Sequence, residues 1–113
     1  MTPSRRYRFP WREGNRFEIL VDSTTFFPRM LDAIGAARQY ILLEMYLFES
    51  GIVTDRFIDA LLVAAGRGVR VSLLLDDYGA IALNRRDRAR MAHRDIEICL
   101  LYTSDAADDS ALV

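Results

Sequence analysis

The hydrophobic positions between residues 40 and 76 follow the pattern of a strand, a helix and a second strand. Two nearly continuous apolar runs, 40–48 and 69–76, flank a segment over 54–67 whose apolar residues recur at helical spacing. Such runs are typical of strands buried on both faces, as in a parallel sheet with helices above and below. A parallel pair of strands needs a crossover connection, and the helical segment supplies it.

Elements of the same two kinds are predicted before and after this unit. A short strand candidate and an amphipathic helix precede it, and a polar helix and a short strand follow it. The predicted strands are 17–21, 40–48, 69–76 and 96–98, and the predicted helices are about 24–38, 54–67 and 85–91. The sequence therefore predicts an α/β fold with a mainly parallel sheet and flanking helices, in the order β-α-β-α-β-α-β.

Capping residues support the ends of these helices. Asp22 or Ser23 is suited to cap the first helix, Thr54 the second and Asn84 the third, because their side chains can accept a hydrogen bond from a free backbone N–H. Gly68 is expected at the end of the second helix in the left-handed conformation, which glycine adopts without steric cost.

The periodic pattern stops at Cys99, and neither strand nor helix spacing fits the segment 99–113 well. This segment resembles the translation of an adapter used in making sequencing libraries, so we interpret it as a non-native tail. The alternative is a genuine acidic tail. The predicted organisation is an irregular basic and aromatic lead-in over 1–16, a partial α/β domain over 17–98 and the tail over 99–113. Within 1–98, 15 Arg face 13 acidic residues, a mildly basic balance of +2.

Composition excludes several classes of protein. An apolar fraction of 51% over 113 residues argues against a disordered chain and allows one domain with a modest core. All 15 basic residues are Arg, and the chain holds one His, His93, and one Cys, Cys99. A single Cys excludes an internal disulfide or a multi-Cys metal site, which fits a reducing compartment. No apolar run reaches the ~18 residues of a membrane span, and the amino terminus lacks the apolar segment of a secretion signal.

Two acids, Asp76 and Asp77, come directly after a core strand, at the strand end where open α/β sheets usually bind ligands. With Glu49, which follows the preceding strand, they could hold Mg²⁺. In the plainer alternative, one Asp caps the loop and the other is solvated. A third alternative is that they order the loop near the rim of an active site.

Glu44 is the one acid inside the apolar run 40–48. Burial of a lone carboxylate is costly, so Glu44 needs a partner or an accessible position. It either orients groups of an active site from behind or pairs with an Arg at the strand end.

Arg and aromatic residues alternate in the lead-in. The candidate contacts to a lipid surface are Arg5, Arg6, Arg8, Trp11 and Arg12. Aromatic rings favour the membrane interface, and each Arg near an anionic leaflet contributes ~1 kcal/mol. The same residues could bind nucleic acid, since Arg contacts phosphate and aromatic rings stack on bases. Alternatively, the segment is a flexible lead-in whose Trp11 and Phe17 dock on the core.

Four blocks in order resemble one family. They are Trp11-Arg12-Glu13-Gly14-Asn15 with the strand after it, Phe26-Phe27-Pro28, Ile41-Leu42-Leu43-Glu44-Met45-Tyr46-Leu47-Phe48, and Gly68-Val69-Arg70-Val71 through Leu75-Asp76-Asp77-Tyr78-Gly79. Over about 11–98 the chain resembles the start of a bacterial cardiolipin synthase of the phospholipase D superfamily. It is most similar to the branch that begins directly with this domain.

The resemblance implies a phosphatidyltransferase that moves a phosphatidyl group from a phospholipid to an alcohol. The chemistry of that family lies in two His-x-Lys-x4-Asp motifs, in which one His attacks the phosphodiester, the other serves as acid and base, and the Lys residues hold the phosphate. This chain has no Lys, so the motif is absent. His93 lies where the family has an ordinary turn and is expected to be a solvated surface residue. The sequence therefore predicts no catalytic residue, no metal and no cofactor in this chain, and no activity of the fragment alone.

Partners and location follow from the same resemblance. The parent protein is expected to bind phospholipid substrate and an anionic membrane surface, with the missing carboxyl-terminal half of the chain completing the active site. We expect it in the bacterial cytoplasm, peripheral on the inner membrane, and not on nucleic acid. The alternatives are a phosphodiesterase or nuclease of the same superfamily, a metal-binding α/β hydrolase or regulatory domain that uses Asp76 and Asp77, and a non-enzymatic module that binds lipid surfaces.

Overall fold

Three helices alternate with three strands in the computed structural model, which describes residues 8–102. The elements are α1 (Ser23–Ala36), β1 (Tyr40–Met45), α2 (Ile52–Gly66), β2 (Arg70–Asp76), α3 (Arg85–Arg90) and β3 (Ile96–Leu101). The strands form one parallel sheet in the order β1-β2-β3, with Tyr40 opposite Arg70 and Val71 opposite Ile96. The predicted α/β class and the parallel pairing of the two long apolar runs are confirmed.

Most of the predicted helix ends are confirmed. The Asp22 carboxylate accepts a hydrogen bond from the Thr25 N–H at 3.2 Å, and the Asn84 side chain accepts one from the Asp87 N–H at 2.8 Å. Gly68 has a φ of +88°, the left-handed conformation expected of it.

The start of α2 differs from the prediction. The helix begins at Ile52 after Gly51, two residues before the predicted cap, and it has no side-chain cap. Thr54 lies inside the helix, where its hydroxyl donates to the Glu49 carbonyl. Thr54 therefore joins the helix to the end of the preceding loop instead of capping it.

The predicted strand over 17–21 is wrong, because these residues form no strand in the described part of the chain. Their alternating apolar side chains, Phe17, Ile19 and Val21, are all exposed, so the core gives the segment nothing to pack against. The Glu18 carboxylate, on the other side of the segment, pairs with the Arg29 guanidinium of α1 through two hydrogen bonds of 3.0 Å. That hydrogen-bonded ion pair lowers the pKa of Glu18.

The core lies between one face of the sheet and the helices. Alternate residues of β2 point into it, so that Val71, Leu73 and Leu75 are almost fully buried. The helices contribute apolar side chains at i, i+3 and i+4 spacing, as an amphipathic helix should. The helical part of the core comprises Ile34, Phe57, Ile58, Leu61, Ala64, Ala65 and Met91.

The opposite face of the sheet is exposed in the described residues, and we call it the open face. Leu42 of β1 is 71% exposed, Leu101 of β3 is 51% exposed, and Leu74 between them in β2 is 36% exposed. The prediction that both faces of these strands are buried is therefore wrong for this part of the chain. The described helices pack on one side only, with α2 in contact with α1, α3 and β2.

The last strand is longer than predicted. β3 continues from Ile96 through Cys99 to Leu101, and its residues alternate between the core and the open face. Its first buried residue, Ile96, is followed by half-buried Ile98 and Leu100 on the same side. The assignment of 99–113 to a non-native tail stays a prediction, and residues 103–113 lie outside the described part of the chain.

Arginine side chains tie the helices together. Arg90 of α3 donates to Asp55 and Asp59 of α2 and, at 3.3 Å, to Asp87 of its own helix. These hydrogen bonds, chiefly the one to Asp55, raise the pKa of Arg90. At the far end of α2, Arg67 donates to the Ile34 and Ala37 carbonyls at 3.1 Å each and so holds the end of α1.

Candidate functional site at the carboxyl ends of the strands

The loops that follow β1 and β2 lie side by side at the carboxyl edge of the sheet, and we call this region the rim. Parallel strands all end at the same edge, so their following loops meet there. Three hydrogen bonds join the two loops: Phe48 N–H to Gly79 O at 3.1 Å, Ser50 N–H to Ala82 O at 3.1 Å, and Asn84 N–H to Ser50 Oγ at 2.9 Å.

Gly79 lies at the closest approach between the two loops. A Cβ atom added there would overlap the Tyr46 carbonyl oxygen and would lie 2.7 Å from the Tyr46 carbonyl carbon. The contact is backbone against backbone, so no side chain can rotate away to relieve it. Only a residue without a Cβ allows this packing, although the φ of Gly79 is not positive.

Asp76 ends β2 and is buried, with 5% of its surface exposed. Its Oδ2 atom accepts the Gly79 N–H at 2.9 Å, and its carbonyl accepts the Ala80 N–H at the same distance. Asp76 therefore caps the turn that brings Gly79 against Tyr46. Its second carboxylate oxygen, Oδ1, is buried and has no hydrogen-bond partner among the described residues. Buried polar atoms without a partner are rare and costly in folded proteins.

A shallow cleft of about 380 Å³ opens beside Asp76 on the open face. Three of its lining residues carry polar side-chain atoms, Glu44, Tyr46 and Asp76, and the others are Met45, Leu74, Leu75 and Leu101. The structure thus brings Glu44 and Asp76, both predicted from the sequence, to the same cleft. Glu44 is exposed and forms no ion pair among the described residues, so the expectation of an Arg partner at the strand end is wrong there.

Asp77 has a different environment from its neighbour. Its N–H donates to the Leu101 carbonyl at 2.9 Å, which joins the loop to the end of β3, and the residue is half-buried. The pair therefore matches the plainer alternative, in which one Asp caps the loop and the other reaches solvent. No three acids, His or Cys residues approach closely enough to hold a metal ion in residues 8–102, so Glu49 does not complete a site with Asp76 and Asp77.

His93 lies in the turn between α3 and β3, as predicted. Its Nδ1 atom accepts the Asp95 N–H at 3.0 Å, and its side chain is 34% exposed, so it is only partly solvated. This turn precedes β3 and lies at the amino edge of the sheet, opposite the rim. His93 is therefore distant from the acids of the cleft.

The basic and aromatic lead-in is exposed wherever the structure describes it. Trp11 is fully exposed and Phe17 is 89% exposed, so the expectation that they dock on the core is wrong. Arg8 and Arg12 are exposed as well, whereas Arg5 and Arg6 lie outside the described residues.

Two residues of the rim, Tyr46 and Gly79, were not predicted from the sequence. Tyr46 contributes its backbone carbonyl as well as its ring, and a sequence carries no signal for such a role. Gly79 had a signal, since a glycine three residues after an aspartate is typical of an Asx-type turn. That signal predicts the turn and leaves open which backbone lies against it.

We expect Asp76→Asn to leave the stability of this chain unchanged or to raise it slightly. Asn keeps an oxygen for the Gly79 N–H and removes a buried charge that has one oxygen unpaired. Asp76→Ala loses the cap and is expected to lower the free energy of unfolding by about 1–2 kcal/mol. Urea denaturation followed by circular dichroism measures both variants, with the more exposed Asp77→Asn as control. An equal loss for Asn and Ala would contradict the absence of a donor to Oδ1.

Comparison with known proteins places this fold and rim in a family. The family described as "Cardiolipin synthase, PLD-like domain" matches residues 30–113. Cardiolipin synthase B of Salmonella typhimurium is 41% identical over 70 residues, which is 62% of this chain and 17% of the relative. The same enzyme of Escherichia coli K12 is 40% identical over 70 residues, with the same coverage of both chains.

A second group of relatives is more distant. Cardiolipin synthase A of Escherichia fergusonii is 32% identical over 79 residues, 70% of this chain and 16% of the relative. The chain thus spans about a sixth of the length of these curated relatives. Within residues 8–102, none of the helices is long and apolar enough to cross a membrane. Because the matching family covers about three quarters of its residues, the chain belongs to the cardiolipin synthase family of PLD-like domains.

Proposed function

We propose that this chain is the first α/β portion of a phosphatidyltransferase and supplies its scaffold and rim, while the catalytic groups lie elsewhere in the protein. The reaction would transfer a phosphatidyl group from a phospholipid to an alcohol. The observation that carries the proposal is the family membership together with the rim. The family gives the reaction class, and the rim provides a cleft with polar groups where parallel sheets bind ligands.

Charge supports the division between scaffold and catalytic groups. A phosphodiester is an anion, and its transition state needs fixed cationic donors. The cleft offers carboxylates instead, Glu44 and Asp76, which would repel the phosphate. The sequence has no Lys, and its single His, His93, lies at the opposite edge of the sheet. The chain alone is therefore proposed to be inactive.

Asp76 has a role that fits this division. Its unpaired Oδ1 is suited to accept a hydrogen bond from a cationic or N–H group of the remaining protein. Glu44, which lines the same cleft, would add negative charge close to that group. We assign both residues to positioning, because neither would contact the phosphate itself. Asp77 would order the loop through its bond to β3.

The remaining partners follow from the proposed reaction. The parent protein would act on phospholipid at the cytoplasmic face of the bacterial inner membrane as a peripheral protein, and the rest of the same chain would complete the site. No observation favours nucleic acid as the substrate, and the described residues offer no cluster for a metal-dependent reaction.

A chimera tests the scaffold proposal directly. The matching 70 residues of this chain would replace their aligned counterpart in cardiolipin synthase B of E. coli K12. We expect the chimera to transfer phosphatidyl groups in detergent-dispersed phosphatidylglycerol, while the 113-residue chain gives no turnover. Asp76→Ala in the chimera should lower kcat by about tenfold to a hundredfold, since supporting residues around an active site typically have effects of that size.

Controls separate function from folding. Asp77→Asn in the chimera should keep most of the activity, because its side chain makes no hydrogen bond in the described structure. Turnover by the isolated chain would contradict the proposal, as would a folded chimera that lacks activity. Cleavage of a nucleic-acid substrate by the active chimera would favour the phosphodiesterase alternative instead.

A further inference from the structure

The first described residues, 8–21, form an exposed segment that we call the arm. Its apolar side chains point away from the body of the protein, although such side chains are usually buried. Each of them is at least 84% exposed: Phe9, Trp11, Phe17, Ile19 and Val21. An exposed apolar group of this size is typical of an interaction site.

The charges of the arm are mainly positive. Arg8, Arg12 and Arg16 are exposed and form no ion pair among the described residues. The arm has two acids, and one of them, Glu18, is already neutralised by Arg29 of α1 at 3.0 Å. The arm therefore presents cationic and apolar groups together, with Glu13 as its remaining acid.

A turn holds the middle of the arm in one shape. Gly14 has a φ of +76°, and the Asn15 side-chain amide donates to the Arg12 carbonyl at 2.8 Å. The turn separates Trp11 and Arg12 on one side from Phe17 on the other. Both halves of the arm are thereby exposed on the same short segment.

We propose that the arm docks on the surface of an anionic lipid bilayer. The Arg side chains would pair with lipid phosphates, and the aromatic and aliphatic side chains would enter the interface below them. This proposal deepens the function proposed above, since it names the surface by which the protein reaches its lipid substrate.

Other parts of the molecule fit a bilayer less well. The open face also exposes leucines, but the neighbouring Glu44 and Glu97 would be repelled by an anionic surface. Single-stranded nucleic acid would engage Arg and aromatic rings, yet it offers nothing to Ile19 and Val21, which have no ring on which a base can stack. The aliphatic residues therefore favour lipid.

Trp11 reports directly on this contact, because it is the only Trp of the chain. The test mixes the 113-residue protein with vesicles of phosphatidylglycerol and phosphatidylcholine in equal parts. We expect a blue shift of Trp11 emission, quenching by lipids brominated on the acyl chain, and loss of both in high salt. No shift with these vesicles, or an equal shift with pure phosphatidylcholine, would overturn the proposal. So would a response to a single-stranded oligonucleotide in place of the vesicles.

Matched variants identify the surface that binds. Arg12→Gln with Arg16→Gln should weaken vesicle partitioning by about tenfold or more, since two interfacial Arg are lost. The same change at Arg85 and Arg86, which are exposed on α3, should have a smaller effect than the arm variant. Co-sedimentation with the vesicles measures each variant.

A second control covers the open face. Leu42→Ser with Leu74→Ser should leave partitioning unchanged, and loss of binding in that variant would overturn the proposal. A chimera that is active in detergent but whose arm shows no emission shift would refute the docking proposal while supporting the transferase function.

Discussion

Gly79→Ala is expected to lower the free energy of unfolding by at least about 3 kcal/mol, a large part of the stability of a small domain. The new Cβ would overlap the Tyr46 carbonyl oxygen, so the loops after β1 and β2 would have to separate. Their separation would break the hydrogen bond from the Phe48 N–H to the Gly79 carbonyl. It would also pull the Gly79 N–H from the Asp76 carboxylate.

Gly35→Ala provides the matched control. Gly35 lies in α1, and a Cβ added there meets nothing within 4 Å. Alanine has the higher helix propensity, so this variant should gain up to about 1 kcal/mol. Urea denaturation monitored by circular dichroism compares the two. A stable Gly79→Ala protein would show that the two loops are not in contact.

Leu73→Ala is expected to cost about 3 kcal/mol, within the range for burying a cavity in a core. Leu73 is 1% exposed and faces the helices from the middle of β2. The truncated side chain would leave a void against α2, because that helix also packs against α1 and α3 and cannot move inward freely.

Its neighbour Leu74 has the same side chain on the opposite face of the same strand. Leu74→Ala should cost less than about 1 kcal/mol, since its exposed side chain loses few packing partners. Thermal unfolding of both variants at several protein concentrations measures the difference. Equal costs would contradict the open face and would show that something covers it, such as a second copy of the chain in solution.

These two leucines show how far the fold could be predicted. An apolar run such as 69–76 correctly predicts a strand of a parallel sheet, because side chains on both faces are apolar. The same run does not tell which segment covers each face. The described helices cover one, so Leu74 is exposed although its sequence environment resembles that of Leu73. The predicted strand over 17–21 failed for a related reason, since its apolar alternation needs a neighbouring strand that the sequence cannot supply.

The site was predicted to a smaller extent. Asp76 was correctly expected at the end of a strand, since both the strand and its turn are local features. The cleft between Glu44 and Asp76 depends on the register of β1 against β2, in which Glu44 lies opposite Leu74. The overlap at Gly79 depends on a loop 33 residues earlier, that of Tyr46. Sequence patterns report on near neighbours, so they missed these distant pairs.

The order of the strands in the sheet equals their order in the chain, β1-β2-β3. Each new strand therefore pairs with the one made just before it, and no strand has to wait for a distant segment. Tyr40 meets Arg70 after 30 residues, and Val71 meets Ile96 after 25. Such connections have low contact order, which favours fast folding. The sheet can thus grow vectorially while the ribosome is still translating, one βα unit at a time.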